Sequence, residues 1–255
     1  MNGKTFLTGP MYGAIRDVSA IHEAFKGPIA LAIEPEDNSY RYSINPEYKA
    51  GRPKRDPEMF TVHDDTLAAL ELIPGVEIYS SDDCGEADDV IQALIKKYKG
   101  QFERFIVYGN DNDLLQVAAD PELKGRVFFL ELKTKKLTAF EDYCQEKYGI
   151  GPEHLLTYRA IIGDSSDNLP GIPRFPRELA RIMAKGEVIE KLTETQAKYI
   201  RILDSNRKLF DDNMAIMTCQ PVEPKVVQYG SVSKNIGYFV KNFGMKSLRK
   251  MVPER

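Results

Sequence analysis

Four groups of acidic side chains at expected strand or helix ends are this chain's best candidates for chemistry. Glu34 directly follows the apolar run Ile29 to Ile33. Glu86, Asp88 and Asp89 lie in CGEADDVIQAL, Asp111 and Asp113 in VYGNDNDLLQ, and Asp164 and Asp167 in IIGDSSDNLPGIP. Taken singly, each cluster is also what a helix start or a turn selects, because carboxylates cap backbone N–H groups and favour the positive end of a helix. Taken together, carboxylates gathered on one edge repel one another, and cations are the means of holding them ionised. Oxygen-only ligands with no supporting His or Cys suit Mg²⁺ or Mn²⁺ rather than zinc. Two such ions, about 4 Å apart, can activate a water and stabilise a leaving oxygen in phosphodiester hydrolysis.

Other schemes have little support. His22, His63 and His154 are scattered without metal spacing. There is no GxSxG or GxGxxG, and Gly3-Lys4-Thr5 lacks the upstream glycine of a phosphate-binding loop. Ser165 and Ser166 have no base nearby in sequence and suit a turn. A second notable stretch, YRYSINPEYKAGRPKR (Tyr40 to Arg55), has five bases (Arg41, Lys49, Arg52, Lys54, Arg55) against the single acid Glu47. Tyr40, Tyr42 and Tyr48 are interleaved with them. Such a segment is either a solvated loop or a surface on which bases stack while cations hold phosphates.

The elements that must position these residues follow from periodicity. Lys4 to Thr8, Pro28 to Ile33, Val76 to Tyr79, Phe105 to Tyr108 and Arg126 to Leu130 read as buried strands. Met11 to Phe25, Phe60 to Ile73 and Glu86 to Lys99 have helical spacing between them, which argues for an α/β fold with a mainly parallel sheet. After about Phe140 the strand signal stops. Phe140 to Tyr148, Pro152 to Ile162, Pro176 to Met183, Glu187 to Phe210 and Lys234 to Met251 read as helices. Ligand crevices of open parallel sheets lie at the carboxyl ends of strands, where the strand-linked acids fall.

Composition narrows the class. The chain has 255 residues, 42% of them apolar and 29% charged. No apolar run approaches the roughly 20 residues that span a bilayer. The opening MNGKTFL lacks a signal-peptide core, and Cys84, Cys144 and Cys219 form neither a disulfide framework nor a CxxC site, so a cytoplasmic protein is expected. The net charge of −3 sums two opposed local fields: residues 82 to 89 hold five acids and no base, whereas residues 40 to 55 hold a net +4.

The stretches EYKAGRP (Glu47 to Pro53), GEADDVI (Gly85 to Ile91), NDNDLLQ (Asn110 to Gln116) and GDSSDNLPGIP (Gly163 to Pro173) occur in the order found in the 5′-nuclease family. The chain therefore resembles the 5′→3′ exonuclease domain of bacterial DNA polymerase I, phage 5′-exonucleases and flap endonucleases. The resemblance implies a PIN-like α/β nuclease core over residues 1–139, with a helical arch at about 38–58. It implies a helical region over 140–255 that completes the metal site and binds DNA through a degenerate helix-hairpin-helix. It implies cleavage of DNA near a 5′ end or 5′ flap, in replication or repair, by a stand-alone monomeric nuclease. Carried over by motif, Glu86, Asp88 and Asp89, with Glu34 nearby, serve a first Mg²⁺ or Mn²⁺. Asp111, Asp113, Asp164 and Asp167 serve a second. Lys49 and Arg52 contact the scissile phosphate, and Tyr48 stacks on terminal bases. Arg41, Lys54, Arg55, Arg174 and Arg177 are candidate DNA contacts.

Three departures bear on this. Thr8 stands where the family's first strand ends in Asp. Glu34 replaces the Asp that ends the second strand. Arg174, Phe175 and Pro176 replace the glycines of the hairpin, which counts against a K⁺ held by hairpin carbonyls and leaves phosphate binding to the charges of Arg174 and Arg177. Two alternatives stay open: an impaired relative that binds DNA ends without cutting, and a PIN-like RNase.

Overall fold

The computed structural model describes residues 8–53, 62–109, 111–131, 134–187, 193–231, 234–246 and 249. In chain order the elements are α1 (Thr8–Phe25), β1 (Ile29–Ala32), α2 (Ser39–Ile44), α3 (His63–Leu70), β2 (Val76–Ser80), α4 (Ala87–Tyr98), β3 (Phe105–Tyr108) and β4 (Val127–Leu130). There follow β5 (Leu137–Ala139), α5 (Phe140–Tyr148), α6 (Pro152–Ile162), β6 (Gly163–Asp164), β7 (Leu169–Pro170), α7 (Arg177–Ala184), α8 (Glu194–Ser205), α9 (Arg207–Met217), β8 (Lys225–Val227) and α10 (Ile236–Phe243). Short 3₁₀ turns occupy Asn112–Ala119 and Ser165–Asp167. No described helix is long and apolar enough to cross a membrane.

The chain divides into two compact units, neither contiguous in sequence: Met1–Ile33, Pro53–Ser80 and Pro224–Arg255 form one, and Glu34–Arg52 with Ser81–Glu223 form the other. In the first unit, Met11, Ile15 and Val18 recur at four- and three-residue spacing, which puts them on one face of α1. That face is buried with Leu67, Leu70, Ile78 and Phe239 in one core. β1 pairs parallel with β2 (Ile29 opposite Val76), and β8 pairs antiparallel on the other side of β2 (Ile78 opposite Val227). In the second unit, β3 pairs parallel with β4 (Phe105 opposite Val127), and β5 returns antiparallel to β4. Its core joins Leu114, Leu115 and Val117 to Leu155, Tyr158 and Ile161 of α6 and to Leu179 and Ala180 of α7.

Several expectations change. Among the described residues the strands form two mixed three-stranded sheets and the β6–β7 pair, with β5 and β8 each adding an antiparallel partner, so the expected mainly parallel sheet is not confirmed. These two strands went unread: each is three residues long, with an exposed edge residue in Leu137 and Val226. Of the strand expected at Lys4 to Thr8, residues 4–7 lie outside the described residues and Thr8 opens α1. The single helix expected from Glu187 to Phe210 is broken at Asn206 into α8 and α9. The break has a local cause: Ser205 Oγ and Asn206 Nδ2 both donate to carbonyls one turn back, and such side chains compete with helix propagation. The helix expected over Lys234 to Met251 is interrupted after Phe243, where Gly244 in the left-handed region caps α10; Arg249 is helical again, and residues 247–248 and 250–251 lie outside the described residues.

Candidate metal centre

Every carboxylate singled out by the sequence lies in the second unit. Local structure explains how each is held. Glu86 is the N-cap of α4, so Asp88 and Asp89 fall in its first turn. Asp89 accepts the Glu86 N–H at 2.7 Å, and Glu34 accepts the Ala87 N–H at 3.2 Å. Asp111 caps the 3₁₀ turn after β3 by accepting the Asp113 N–H at 3.0 Å. Asp164 caps the 3₁₀ turn Ser165–Asp167 by accepting the Ser166 N–H at 2.9 Å. The capping and ligand roles are therefore compatible, since a cap occupies one oxygen and a carboxylate has two.

The GDSSDNLPGIP motif is a hairpin whose glycines are sterically required. A Cβ on Gly163, at φ +81°, would meet the Gly171 nitrogen at 2.3 Å, and one on Gly171 would meet the Ile162 carbonyl oxygen at 2.0 Å. β6 and β7 approach so closely because Gly163 lies opposite Pro170. The hairpin turns at Asn168, also left-handed, and delivers Asp164 and Asp167 to the cluster.

The segment 45–52 docks onto this hairpin. The Lys49 N–H donates to the Asp167 carbonyl at 2.9 Å, and Asn168 Nδ2 donates to the Glu47 carbonyl at 2.7 Å. Lys49 is held at φ +57°, a strained conformation for a residue with a Cβ, at the place where its ammonium reaches Glu86 Oε1 at 2.7 Å. Arg52 pairs with Asp167.

Two residues expected to touch DNA are committed elsewhere. Arg41 is 3% exposed, and its guanidinium grips both oxygens of Asp89 at 2.8 and 2.9 Å while Nε donates to the Ile216 carbonyl at 2.8 Å. Burying an arginine requires such a set of partners, and they leave its guanidinium turned away from solvent. The same contacts change the outlook for Asp89, whose oxygens also accept the Glu86 and Gln220 N–H groups. Tyr48 is 2% exposed, packed with Leu169, Ile216 and Met217, and its hydroxyl donates toward Glu86 and Asp167 at 3.3 Å each. Its ring has no open face for a base. Arg174 and Arg177 are exposed, Arg174 in the loop after β7 and Arg177 at the start of α7. Lys54 and Arg55 lie outside the described residues.

Asp88, Asp111 and Asp113 each offer an oxygen within 4.8 Å of the others. Burial first, then the charges of Asp111, Asp113 and Glu86, push the Asp88 carboxyl up to about 8. Burial also raises Asp113, against the opposing pull of Arg159. Asp164 is held below the ordinary carboxylate range, because Ser166 and Arg159 outweigh its burial. A crowded group of oxygens that resists ionisation is matched to an added divalent cation. The trio fits such an ion, with oxygen donors and no His or Cys beside them.

Beside the trio lies a cavity of about 250 Å³ lined by Arg52, Asp111, Asp113, Arg159, Asp164 and Asp167, with Asn112, Tyr143, Lys147 and Ser166 completing the wall. Sequence reasoning missed Arg159. It is buried on α6 and ties Asp113 to Asp164, the latter at 2.6 Å. The available signal was one charge inside the otherwise apolar helical turn Tyr158 to Ile162.

Comparison with known proteins agrees with this architecture. Residues 1–149 match the family described as the N-terminal resolvase-like domain of 5′-3′ exonucleases. DNA polymerase I of Bacillus subtilis (strain 168) is 28% identical over 201 residues, which is 76% of this chain and 22% of that protein. A 5′-3′ exonuclease of Buchnera aphidicola subsp. Acyrthosiphon pisum (strain APS) is 27% identical over 169 residues, 65% of this chain and 56% of that protein. The chain thus spans less than two thirds of the length of either relative. Among solved structures, the T5 D15 protein co-crystallised with metal ions superposes with a TM-score of 0.65 at 16% identity, covering 96% of this chain and 92% of that one. The bacteriophage T5 flap endonuclease, solved with DNA and metal ions, gives 0.61 at 15% identity, over 95% of this chain and 88% of that one. At such identities the likeness is one of fold.

Proposed function

The chain belongs to the 5′-3′ exonuclease family, and on that premise we propose that it is a divalent-metal-dependent nuclease hydrolysing DNA phosphodiesters at a 5′ end or 5′ flap. The observation that supports this best is the packing of Asp88, Asp111 and Asp113 within 4.8 Å of one another. The cations Lys49 and Arg52 face the same cluster through Glu86 and Asp167. That a phage relative of like fold was solved with DNA and metal ions adds support.

Asp88, Asp111 and Asp113 would hold Mg²⁺ or Mn²⁺, with Glu86, Asp164 and Asp167 available to a second ion and Glu34 at the margin. When bound, the metal supplies activation of a water and stabilisation of the leaving oxygen. The protein's own groups do the rest. Arg159 keeps Asp113 and Asp164 together, and the Arg41–Asp89 pair fixes the first turn of α4, which holds Asp88 against Asp111 and Asp113. Lys49 and Arg52, neutralised by carboxylates in the free protein, exchange those partners for the phosphate. Arg174 and Arg177 hold duplex phosphates by charge, in a degenerate helix-hairpin-helix built from α6 and α7 that does not require K⁺. Lys54 and Arg55 would extend the basic arch. The protein would act as a monomer on DNA in the cytoplasm, in replication or repair.

One observation favours the impaired alternative. Asp89 has all its contacts taken, and the chain has Thr8 where the family has a carboxylate, so an ion drawn to Glu86, Asp88 and Asp89 has fewer ligands than the resemblance implies. A single assay separates the readings. Labelled 5′-flap DNA, its RNA counterpart and a plain duplex are incubated with Mg²⁺ or Mn²⁺, with chelator and with the Asp111→Asn protein. Flap cleavage that chelator and the variant both abolish supports the nuclease. Tight flap binding without cleavage in either metal sinks it in favour of the impaired reading, and a large gain with Thr8→Asp would name the cause. Preference for the RNA strand would point to an RNase.

A further inference from the structure

Three cations line the cavity beside the acidic trio: Arg52, Lys147 and Arg159. Two are already neutralised. Arg52 pairs with Asp167, and Arg159 pairs with Asp113 and Asp164. Lys147 differs. Its ammonium donates to Asn112 Oδ1 at 2.9 Å and to the Tyr143 hydroxyl at 3.3 Å, both neutral oxygens. Among the described residues it has no carboxylate partner. Its charge is therefore not directly paired among the described residues, and an ammonium with three donors has one still unused.

The side chain is also held in place. Lys147 lies in the last turn of α5, one turn after Tyr143, and its nitrogen lies 5.3 Å from the centre of the Tyr143 ring and 5.5 Å from that of Tyr148. Ring faces attract a cation without cancelling its charge, so the ammonium is positioned but still seeks an anion. The remaining wall is acidic, so an anion can settle only where such a cation meets it.

We propose that Lys147, oriented by Tyr143 and Asn112, is a phosphate-binding residue for the nucleic-acid strand that enters the carboxylate cavity. It contacts a phosphate on the α5 wall of the cavity, apart from the phosphate met by Lys49 and Arg52. The cavity, at about 250 Å³, is smaller than pockets that enclose drug-sized ligands, which favours a phosphodiester over an enclosed free nucleotide. This inference rests on the nucleic-acid reading of the site given above. It assigns a role to a residue outside the four motifs.

The test is the salt dependence of binding of fluorescent 5′-flap DNA, measured by anisotropy in Ca²⁺, with gels confirming that the DNA stays intact. Lys147→Ala, Lys147→Arg and Tyr143→Phe are compared with the wild type between about 50 and 200 mM salt. Lys147→Ala is expected to weaken binding ~3–10-fold, equally for unrelated sequences, and to reduce the slope of log K against log salt by about 1. Lys147→Arg should keep the slope, and Tyr143→Phe should weaken affinity while keeping it. Lys147 is exposed, so the melting temperature of Lys147→Ala should stay within about 2 °C of the wild type, which separates lost contact from lost fold. An unchanged affinity and slope in Lys147→Ala overturns the assignment, as does equal loss in Lys147→Arg. If the wild type itself fails to bind flap DNA, the fault lies with the nucleic-acid reading instead.

Discussion

Replacing Asp88 by Asn should stabilise the metal-free protein and remove its response to metal. The folded chain pushes the Asp88 carboxyl from an ordinary 3.8 up to about 8, chiefly by burial and then by Asp111, Asp113 and Glu86. Each unit of such a shift is worth roughly 1.4 kcal/mol, so the upper bound at pH 8 is about 6 kcal/mol. Side-chain relaxation and partial exposure shrink this, and ~1–3 kcal/mol is the expected gain for Asp88→Asn at that pH. For a chain of this size that corresponds to a rise of about 3–8 °C in melting temperature. The sign follows from linkage. Between pH 4 and 8 the folded state binds more protons than the unfolded state, so the metal-free protein loses stability as pH rises through that range. Asp88→Asn should flatten that slope. Saturating Mg²⁺ at about a hundredfold over its Kd should restore roughly 2.7 kcal/mol to the wild type and little to the variant. The assay is a thermal melt of both proteins from pH 5 to 8, in chelator and in Mg²⁺. A variant no more stable than wild type in chelator at pH 8, or one equally stabilised by Mg²⁺, would refute the argument that this trio is a strained cation site.

Three further outcomes follow from the same geometry. Arg159→Met leaves Asp113 and Asp164 without their shared partner and should cost about 3–5 kcal/mol in chelator, with part recovered in Mg²⁺; a melt within 2 °C of wild type would dismiss the bridging role. Tyr48→Ala should destabilise by ~3–5 kcal/mol in a urea titration because the ring is buried with Leu169, Ile216 and Met217, whereas an exposed stacking residue would cost less than about 0.5 kcal/mol. Gly171→Ala forces a methyl to within 2.0 Å of a carbonyl oxygen and should lower stability by about 2 kcal/mol or more, with loss of Mg²⁺ response as the hairpin shifts Asp164 and Asp167; an unperturbed variant would mean that the hairpin tolerates a wider spacing.

Much of the fold was legible because local chemistry carried it. Phe105 to Tyr108 reads as a strand from four apolar residues in a row, and it is one. Phe140 to Tyr148 and Pro152 to Ile162 read as helices with the bounds observed, since Gly149 takes the left-handed cap and Pro152 opens the next helix at a position that needs no N–H. What escaped notice were elements stabilised by pairing rather than pattern. β8 is made of Lys225, Val226 and Val227, too short for a period to emerge, and it exists because β2 offers an edge.

The acids of the site were visible because their spacing is local: Asp88 follows Glu86 by two residues, and Asp113 follows Asp111 by two. Their cations were not. Arg41 is 48 residues from Asp89, Arg159 is 46 from Asp113, and nothing in a linear spacing links either pair. The aromatic-basic stretch shows the consequence. From sequence, Arg41 and Tyr48 look like the residues that would meet DNA, because a cation and an aromatic ring in a loop suit phosphates and bases. Folding turns both inward, since a guanidinium near two carboxylates and a ring near three aliphatic side chains gain more from the interior than from solvent. Lys147, unremarkable in the sequence, keeps its charge on the cavity wall because, among the described residues, its ammonium donates to neutral oxygens. By itself, then, the sequence determined which acids could bind a metal, through residue type and short spacing. Tertiary structure decided which cations are neutralised and which remain for a ligand, because charge compensation depends on distance in space rather than along the chain.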